Sequence, residues 1–377
     1  MTGPAQHPET DASRREHLRV RNAAFWRTVA LAVVVIVASH VIERRMSYSL
    51  ADKPMIVHGG YGLSLARIPP KRPGTFRVLM LGNSVYQKCG ICQQYRADAE
   101  AEHRPIEFIN LAQIGASIND YPLELGWALA QDARPDAVIV SLGSFTFSDL
   151  GFTFNTDADQ IAYVPSVHRL IPESFYERNF DRTAAVQRTI SAIAPLRRID
   201  TILQYDATQA IQMDLKERGV DIAWLTGTLP LPRLNLVVNQ FDADRRRGRR
   251  PEGEAWLARP FKPDADQTFN ELLDMIDHAG VPAFVIRQQC GHKPISEQAL
   301  ALIEEAVSRP RAVPVGFVDL EHLWTPDDFG DDIHPTREHA PAYTRSHYDA
   351  FIRFIESTAS AAAIAPTTSG AMTSQRN

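Results

Sequence analysis

The chain has 377 residues, of which 44% are hydrophobic, and it carries a formal net charge of -5. This length exceeds what one small domain needs, and the apolar fraction is ordinary for a globular protein with a substantial core. The negative charge argues against non-specific nucleic-acid binding as the main task of the protein, so we expect no nucleic-acid partner.

The N-terminal region predicts a membrane anchor. Residues 1–22 are polar and charged and are expected to be disordered. The segment 23–45 follows, with an almost wholly apolar core from Thr28 to Ile42, and it has about the length that crosses a bilayer. Five arginines precede this core, so the positive-inside rule places the N-terminus in the cytoplasm and the bulk of the chain in the periplasm or outside the cell. A cleaved signal peptide and a buried helix are the alternative interpretations.

From about residue 73 the sequence alternates between apolar runs and amphipathic helical patterns. The predicted strands are Phe76–Leu81, Ile106–Leu111, Ala137–Leu142, Ala283–Arg287 and Gly316–Leu320. The predicted helices between them are Tyr121–Ala133, Asp266–His278 and Ser296–Ser308, the last with Ser296 as its N-cap. Strands that alternate with helices and are apolar throughout predict an α/β domain with a parallel sheet over residues 73–356.

The alternation stops at about residue 152 and resumes at about residue 264, which indicates an insertion that forms a lid or a partner surface. This stretch contains two helical patterns, Thr183–Arg198 and Ala207–Arg218. Its basic run, Arg245–Arg250, is either a solvated loop or a contact to an anionic polymer or lipid headgroups. Residues 357–377 have low complexity and are expected to be disordered.

Three predicted strands are followed by glycine-containing turns, and an aspartate–histidine loop lies near the C-terminus. The turns contain Gly82-Asn83-Ser84, Gly115 and Gly143, and the loop reads DDIHP, Asp331–Pro335. Because the carboxyl ends of parallel strands share one edge of a sheet, where ligands bind, we expect these segments to converge in space. His292, which follows a fourth predicted strand, is a further candidate substrate contact at this edge.

These residues suit acyl transfer by a serine nucleophile. A serine hydroxyl needs a base to take its proton, and His334 is the candidate base for Ser84. Asp331 is the candidate for orienting the imidazole and stabilising its cation, with Asp332 as the alternative. The backbone N–H groups of Ser84 and Gly115 are candidate donors to the oxyanion of a tetrahedral intermediate. The structural alternatives are a helix-capping role for Ser84, a turn role for Gly115 and a solvated His334.

Cys89 and Cys92 form a C-x-x-C motif shortly after Ser84. A disulfide is permitted outside the cytoplasm, so we expect either a local disulfide between them or two free thiols. The flanking sequence is not typical of a thioredoxin-like redox motif, and no second C-x-x-C completes a zinc site. The sequence therefore indicates neither a metal nor an organic cofactor.

The stretches LMLGNSVY, NLAQIGAS and DDIHP together resemble the sequence blocks of the SGNH/GDSL esterase–acyltransferase superfamily. The resemblance implies a flavodoxin-like three-layer α/β/α sandwich. It also implies Ser84 as the nucleophile, Gly115 as an oxyanion donor, and Asp331 and His334 as the other members of a catalytic triad.

The resemblance covers about residues 73–150 and 280–355, and the sequence departs from the family pattern in the third block. That block usually reads G-x-N-D and its asparagine side chain gives a third oxyanion donor, whereas this chain has Phe145 at the asparagine position. Loss of one such donor typically costs about a hundred- to a thousandfold in rate. The candidate replacements are Ser144, Asn119 and Asn155.

The resemblance implies a serine esterase that acts on ester-linked acyl groups of a cell-envelope glycan or lipid. Two alternatives stay open. Anchored members of similar architecture take part in O-acylation of envelope polysaccharide, often beside a multispanning membrane acyltransferase, so this chain is alternatively such a transferase. Phe145 instead favours a catalytically inactive module that binds glycans or a partner protein, and such a module would tolerate Ser84→Ala.

Overall fold

The computed structural model describes most of the sheet-containing domain and the N-terminal helix. The described residues are 11–46, 48–49, 66–88, 91–113, 115–143, 146–148, 161–162, 164–180, 186, 261–288, 296–320, 323–325, 328–329, 334–336 and 338–358. Apart from residue 186, the helices predicted at 183–198 and 207–218 lie outside these ranges. The basic run at 245–250 and the tail beyond residue 358 lie outside them too.

Five parallel strands form the central sheet of the described chain. They are β1 Phe76–Leu81, β2 Ile106–Asn110, β3 Ala137–Leu142, β4 Ala283–Arg287 and β5 Val315–Asp319. The hydrogen-bonded order is β2-β1-β3-β4-β5, which is the order of flavodoxin-like doubly wound sheets. The structure confirms all five predicted strands, with ends that agree to within one residue.

Nine helices fall within the described residues. They are α1 Asp11–Met46, α2 Ser84–Lys88, α3 Ile91–Ala101, α4 Asp120–Ala130, α5 Pro165–His168, α6 Glu173–Asn179, α7 Ala265–His278, α8 Glu297–Ser308 and α9 Ala340–Glu356. The helices α4, α7 and α8 correspond to the three predicted between the strands. The Ser296 hydroxyl caps α8, since its Oγ accepts a hydrogen bond from the Ala299 N–H at 3.2 Å. The helix α4 ends three residues earlier than predicted, and Asp132 then adopts a left-handed backbone with φ 58°.

A helical layer covers each face of the sheet. Because side chains alternate along a strand, Val78 points to one layer and Leu79 to the other. The first layer contains α3 and α9, with Phe351 in its buried cluster, and the second contains α4, α7 and α8, with Phe269 in its cluster. The strands β1 to β4 are buried on both sides, which is why their sequences are apolar runs without alternation.

The predicted insertion begins after β3 and ends before α7 at adjacent points of the domain. Ser148 and Phe261 form an antiparallel bridge, and the Lys262 N–H donates to the Phe147 carbonyl at 2.8 Å. The rings of Phe147 and Phe261 stack with their centroids 5.8 Å apart. The two sides of the predicted insertion therefore meet beside the carboxyl end of β3.

Part of the predicted insertion packs into the domain core. A Cβ atom added at Gly126 of α4 would meet Ile171 at 3.0 Å and Val167 at 3.3 Å, so glycine lets α5 approach α4 closely. Ile171 and Phe175 are buried in the same cluster as α4. Residues 164–180 therefore form part of one helical layer.

The helix α1 contains a 20-residue stretch, Asn22–Val41, that is long and apolar enough to cross a membrane by length and composition. Phe25, Trp26 and Leu31 are exposed, so this stretch is not a buried core helix, which was one of the alternatives. The helix begins at Asp11, so it includes residues 11–22, which were expected to be disordered. Arginine, glutamate, leucine and alanine are good helix formers, and each residue added to an existing helix gains a hydrogen bond.

Candidate active site

Ser84 lies where β1 gives way to α2. The strand ends at Leu81, Gly82 and Asn83 form the turn, and Ser84 is the first residue of the helix. The Asn83 Oδ1 accepts a hydrogen bond from the Val85 N–H at 3.0 Å, which closes the turn from within. The Ser84 side chain is therefore held at the carboxyl edge of the sheet by a locally bonded turn.

The turn packs tightly against the neighbouring strand. A Cβ atom added at Gly82 would lie 3.0 Å from the Tyr86 Cβ and 3.4 Å from the Ser141 Cβ. Any larger side chain would have to displace one of these neighbours. Glycine is thus needed here for the close approach of the turn to β3.

His334 lies against Ser84. Its Nε2 is 3.0 Å from the Ser84 Oγ, and the two residues are only 8% and 6% exposed. This separation is within the range for proton transfer from a hydroxyl to an imidazole. The arrangement can therefore activate Ser84 as a nucleophile in a site from which most water is excluded.

The chain segments just before and just after His334 pair with each other through their backbones. Phe329 and Pro335 form an antiparallel bridge, and the Thr336 N–H donates to the Asp328 carbonyl at 2.8 Å. The loop then leads into α9. His334 is thus placed by its immediate chain neighbours.

The three turns predicted to converge do lie next to one another. The Gln113 N–H donates to the Gly82 carbonyl at 3.1 Å, which extends the β1–β2 pairing past the strand ends. The Ile118 N–H donates to the Thr146 carbonyl at 2.9 Å, which joins the second turn to the third. Gly115 lies between these two contacts with φ 71°, a backbone conformation that glycine adopts without strain.

A strand-end glycine and a candidate donor have other hydrogen bonds in this region. The Gly143 N–H donates to the Thr146 Oγ1 at 2.9 Å, within its own turn. The Asn119 Nδ2 donates to the Asn179 Oδ1 at 3.0 Å, which ties the start of α4 to the end of α6. That contact gives Asn119 a structural role beside its predicted one as an oxyanion donor.

Several residues with predicted roles lie outside the described part of the chain, and their roles stay predictions. They are Asp331, Asp332, Ser144, Phe145, Asn155 and His292.

Two polar residues that sequence reasoning missed lie directly beneath the turn. The Ser141 hydroxyl donates to the Gln288 Oε1 at 2.7 Å, and the Gln288 Nε2 donates to the Asn83 Oδ1 at 3.1 Å. All three side chains are fully buried. The sequence signal for this pair was a polar residue at the end of an apolar run. These residues are Ser141 in AVIVSL and Gln288 in AFVIRQ.

A buried tyrosine–histidine pair lies behind α2. The Tyr86 hydroxyl is 3.2 Å from the His347 Nδ1, and the two rings stack. Burial lowers the pKa of His347 to about 3, so its imidazole is neutral at physiological pH. Burial also raises the pKa of Tyr86 above its ordinary value, so the hydroxyl keeps its proton. This pair joins α2 to α9.

Cys92 is a buried free thiol whose Sγ donates to the Phe108 carbonyl at 3.8 Å. Burial raises its pKa, which makes it unreactive. This favours the free-thiol alternative over the predicted disulfide with Cys89, a residue that lies outside the described ranges. Within the described ranges, no group of three or more histidine, cysteine, aspartate or glutamate side chains could hold a metal ion.

Comparison with known proteins gives no match, either to a family model or to a curated protein.

Proposed function

We propose that the protein is a serine esterase of the SGNH type that hydrolyses ester-linked acyl groups on a cell-envelope glycan or lipid. The observation that carries this proposal is the 3.0 Å contact between the His334 Nε2 and the Ser84 Oγ at the carboxyl edge of the parallel sheet. The strand order and the three sequence blocks support the same assignment.

In the first step, the Ser84 Oγ attacks the carbonyl carbon of the ester while the His334 Nε2 takes the hydroxyl proton. The carbonyl oxygen becomes an oxyanion, and the N–H groups of Ser84 and Gly115 stabilise it. Asp331 orients the imidazole and stabilises its positive charge.

The tetrahedral intermediate then collapses and its ester C–O bond breaks. The leaving oxygen takes the proton from the His334 Nε2, and the acyl group stays on the Ser84 Oγ. A water molecule next attacks the acyl-enzyme while His334 accepts one of its protons. Collapse of the second intermediate releases the acid and returns the proton to Ser84.

The helix α1 anchors this domain in the proposal. Arg14, Arg15, Arg19 and Arg21 precede the apolar stretch in sequence, so the positive-inside rule places the N-terminus in the cytoplasm. The domain with Ser84 then lies on the periplasmic or extracellular side, where envelope glycans and lipids are its substrates.

An O-acyltransferase is the second candidate, and α1 is the observation that favours it. A membrane tether would hold Ser84 beside a multispanning acyltransferase partner that supplies acyl groups. The chemistry is the same up to the acyl-enzyme, which a sugar hydroxyl then attacks in place of water.

The proposal is tested by labelling the full-length protein in detergent with a fluorophosphonate probe, which reacts with activated serines. We expect stoichiometric labelling at Ser84 that is lost in Ser84→Ala and in His334→Ala. The matched controls are Ser174→Ala and His278→Ala, which alter exposed side chains and should label like the wild type.

A folded wild-type protein that takes up no label would overturn the esterase proposal and would favour the glycan- or partner-binding module. If Ser84 is labelled, product analysis with an acetyl ester and an oligosaccharide acceptor separates the two enzymes. An esterase releases acetate at a rate that the acceptor does not change, whereas a transferase forms the acetylated oligosaccharide.

A further inference from the structure

We propose that Gln288 is a positioning residue for Ser84 and acts through Asn83, an inference that rests on the proposed function. Gln288 follows the last residue of β4, two strands away from the strand that leads to Ser84. Its side chain nevertheless reaches the turn, because the Nε2 donates to the Asn83 Oδ1 at 3.1 Å.

The Asn83 Oδ1 is the atom through which Gln288 contacts the turn Gly82-Asn83-Ser84. The same oxygen accepts from the Val85 N–H at 3.0 Å and from the Gln288 Nε2, so an atom of the residue before Ser84 binds both the residue after Ser84 and a distant strand end. Holding this oxygen fixes the backbone on both sides of Ser84. It thereby fixes the direction of the Ser84 Oγ toward His334.

The position of Gln288 is itself set by β3. Its backbone N–H donates to the Leu142 carbonyl at 2.9 Å, which continues the β3–β4 pairing by one residue. The Ser141 hydroxyl donates to its Oε1 at 2.7 Å, which leaves the Nε2 directed to Asn83.

Burial excludes a direct role for Gln288 in binding substrate. Gln288, Asn83 and Ser141 are fully buried, whereas Ser84 and His334 retain some exposure. A buried amide that served only to fill volume would be replaceable by an apolar side chain of the same length. Gln288 instead makes two hydrogen bonds, with Ser141 and Asn83. We therefore expect their loss to loosen the turn that holds Ser84.

The test compares wild type with Gln288→Met, which keeps the length of the side chain and removes its donor and acceptor. The first readout is hydrogen–deuterium exchange of the peptide with residues 82–86, which needs no activity. We expect exchange there to rise about five- to tenfold, as expected for the loss of one buried hydrogen bond. Exchange of the β5 peptide should not change.

The second readout is steady-state kinetics with an acetyl ester. We expect Gln288→Met to lower kcat by about ten- to a hundredfold with little change in KM, since a misdirected nucleophile binds substrate normally but attacks it slowly. The control is Asn270→Leu, which removes a largely buried amide on α7.

The outcomes separate the two proposals. Exchange of residues 82–86 that is the same in Gln288→Met as in wild type overturns the positioning role, whatever the activity. Faster exchange with lower kcat supports it. Faster exchange in Gln288→Met, together with a wild-type protein that shows neither labelling nor esterase activity, overturns the proposed function and leaves Gln288 as the support of the Asn83 turn.

Discussion

The amino edge of the sheet and the Ser84 turn at its carboxyl edge are built from different chemistry. At the amino edge of the strands, the fully buried Arg77 forms an ion pair with Glu107 at 2.9 Å, and Lys71 pairs with Asp136. At the carboxyl edge, the contacts beneath and beside Ser84 are between neutral amides, hydroxyls and an imidazole.

This difference indicates that one group of residues in the sheet determines stability and another determines the rate of the proposed reaction. Paired charges at the amino edge are fixed and have no proposed part in the reaction. The described hydrogen bonds that hold the Ser84 turn join neutral dipoles, and under the proposed mechanism the oxyanion of acyl transfer forms beside them. Changes at the Ser84 turn and at His334 should therefore alter rates, and changes at the amino edge should alter stability.

The largest expected effect is on rate at the carboxyl edge. We expect His334→Gln to lower kcat by about 10³- to 10⁴-fold, because glutamine cannot accept the Ser84 proton as a base. The free energy of unfolding, measured with urea, should stay within about 1 kcal/mol of wild type. A variant that loses stability and activity together would contradict the separation of the two edges.

The next effect is on stability at the amino edge. Glu107→Leu leaves the fully buried Arg77 without its partner carboxylate, which typically costs about 3–5 kcal/mol in the free energy of unfolding. The protein that remains folded should label at Ser84 at the wild-type rate.

The matched control for that change is the double variant Arg77→Met/Glu107→Leu. Replacing both members of a buried ion pair with apolar residues is often close to neutral, so most of the stability should return. A double variant as unstable as Glu107→Leu would show that the loss comes from packing and not from the unpaired charge.

A pH-dependent effect is expected from His347, which lies behind the site. Burial lowers its pKa to about 3 in the folded protein, whereas an unfolded chain takes up this proton below about pH 6.5. The free energy of unfolding should therefore fall as pH falls from about 6.5 to about 3, by up to about 1.4 kcal/mol per pH unit. His347→Phe should have a shallower slope over this window, and an unchanged slope would show that other groups dominate.

The smallest expected effect is a change of stability alone at the carboxyl edge. Ser296→Ala removes the N-cap of α8 and should cost about 1 kcal/mol in the free energy of unfolding. Esterase activity should stay at the wild-type level, because the hydrogen bond of this cap is local to α8. Ser296→Asp, which can also cap the helix, should retain the stability.

Much of the sheet could be predicted because each strand is specified by its own short stretch of sequence. Runs such as Phe76–Leu81 and Ala283–Arg287 are continuously apolar, and each is bounded by residues that favour a turn. The convergence of Gly82, Gly115 and Gly143 then follows from the geometry of a parallel sheet. The contact of His334 with Ser84 was expected from motif order, and the structure places the two side chains together.

The elements that were not predicted depend on distant contacts. The helix α9 buries Tyr343, His347 and Phe351 at helical spacing, but its polar aromatic residues weaken the apolar pattern. The pairing of Ser141 with Gln288 joins positions 147 residues apart. No local pattern specifies which of the many buried polar residues will meet across such a separation.

The hydrogen bond between Ser84 and His334 joins residues that are 250 positions apart in the chain. Ribosomes add about 5–20 residues per second, so roughly 10–50 s pass between synthesis of the serine and synthesis of its base. During that interval the nascent chain has a serine but no partner to activate it. Under the proposed mechanism, Ser84 therefore becomes reactive only after the C-terminal loop has been made and docked, and an incompletely synthesised chain cannot form the acyl-enzyme.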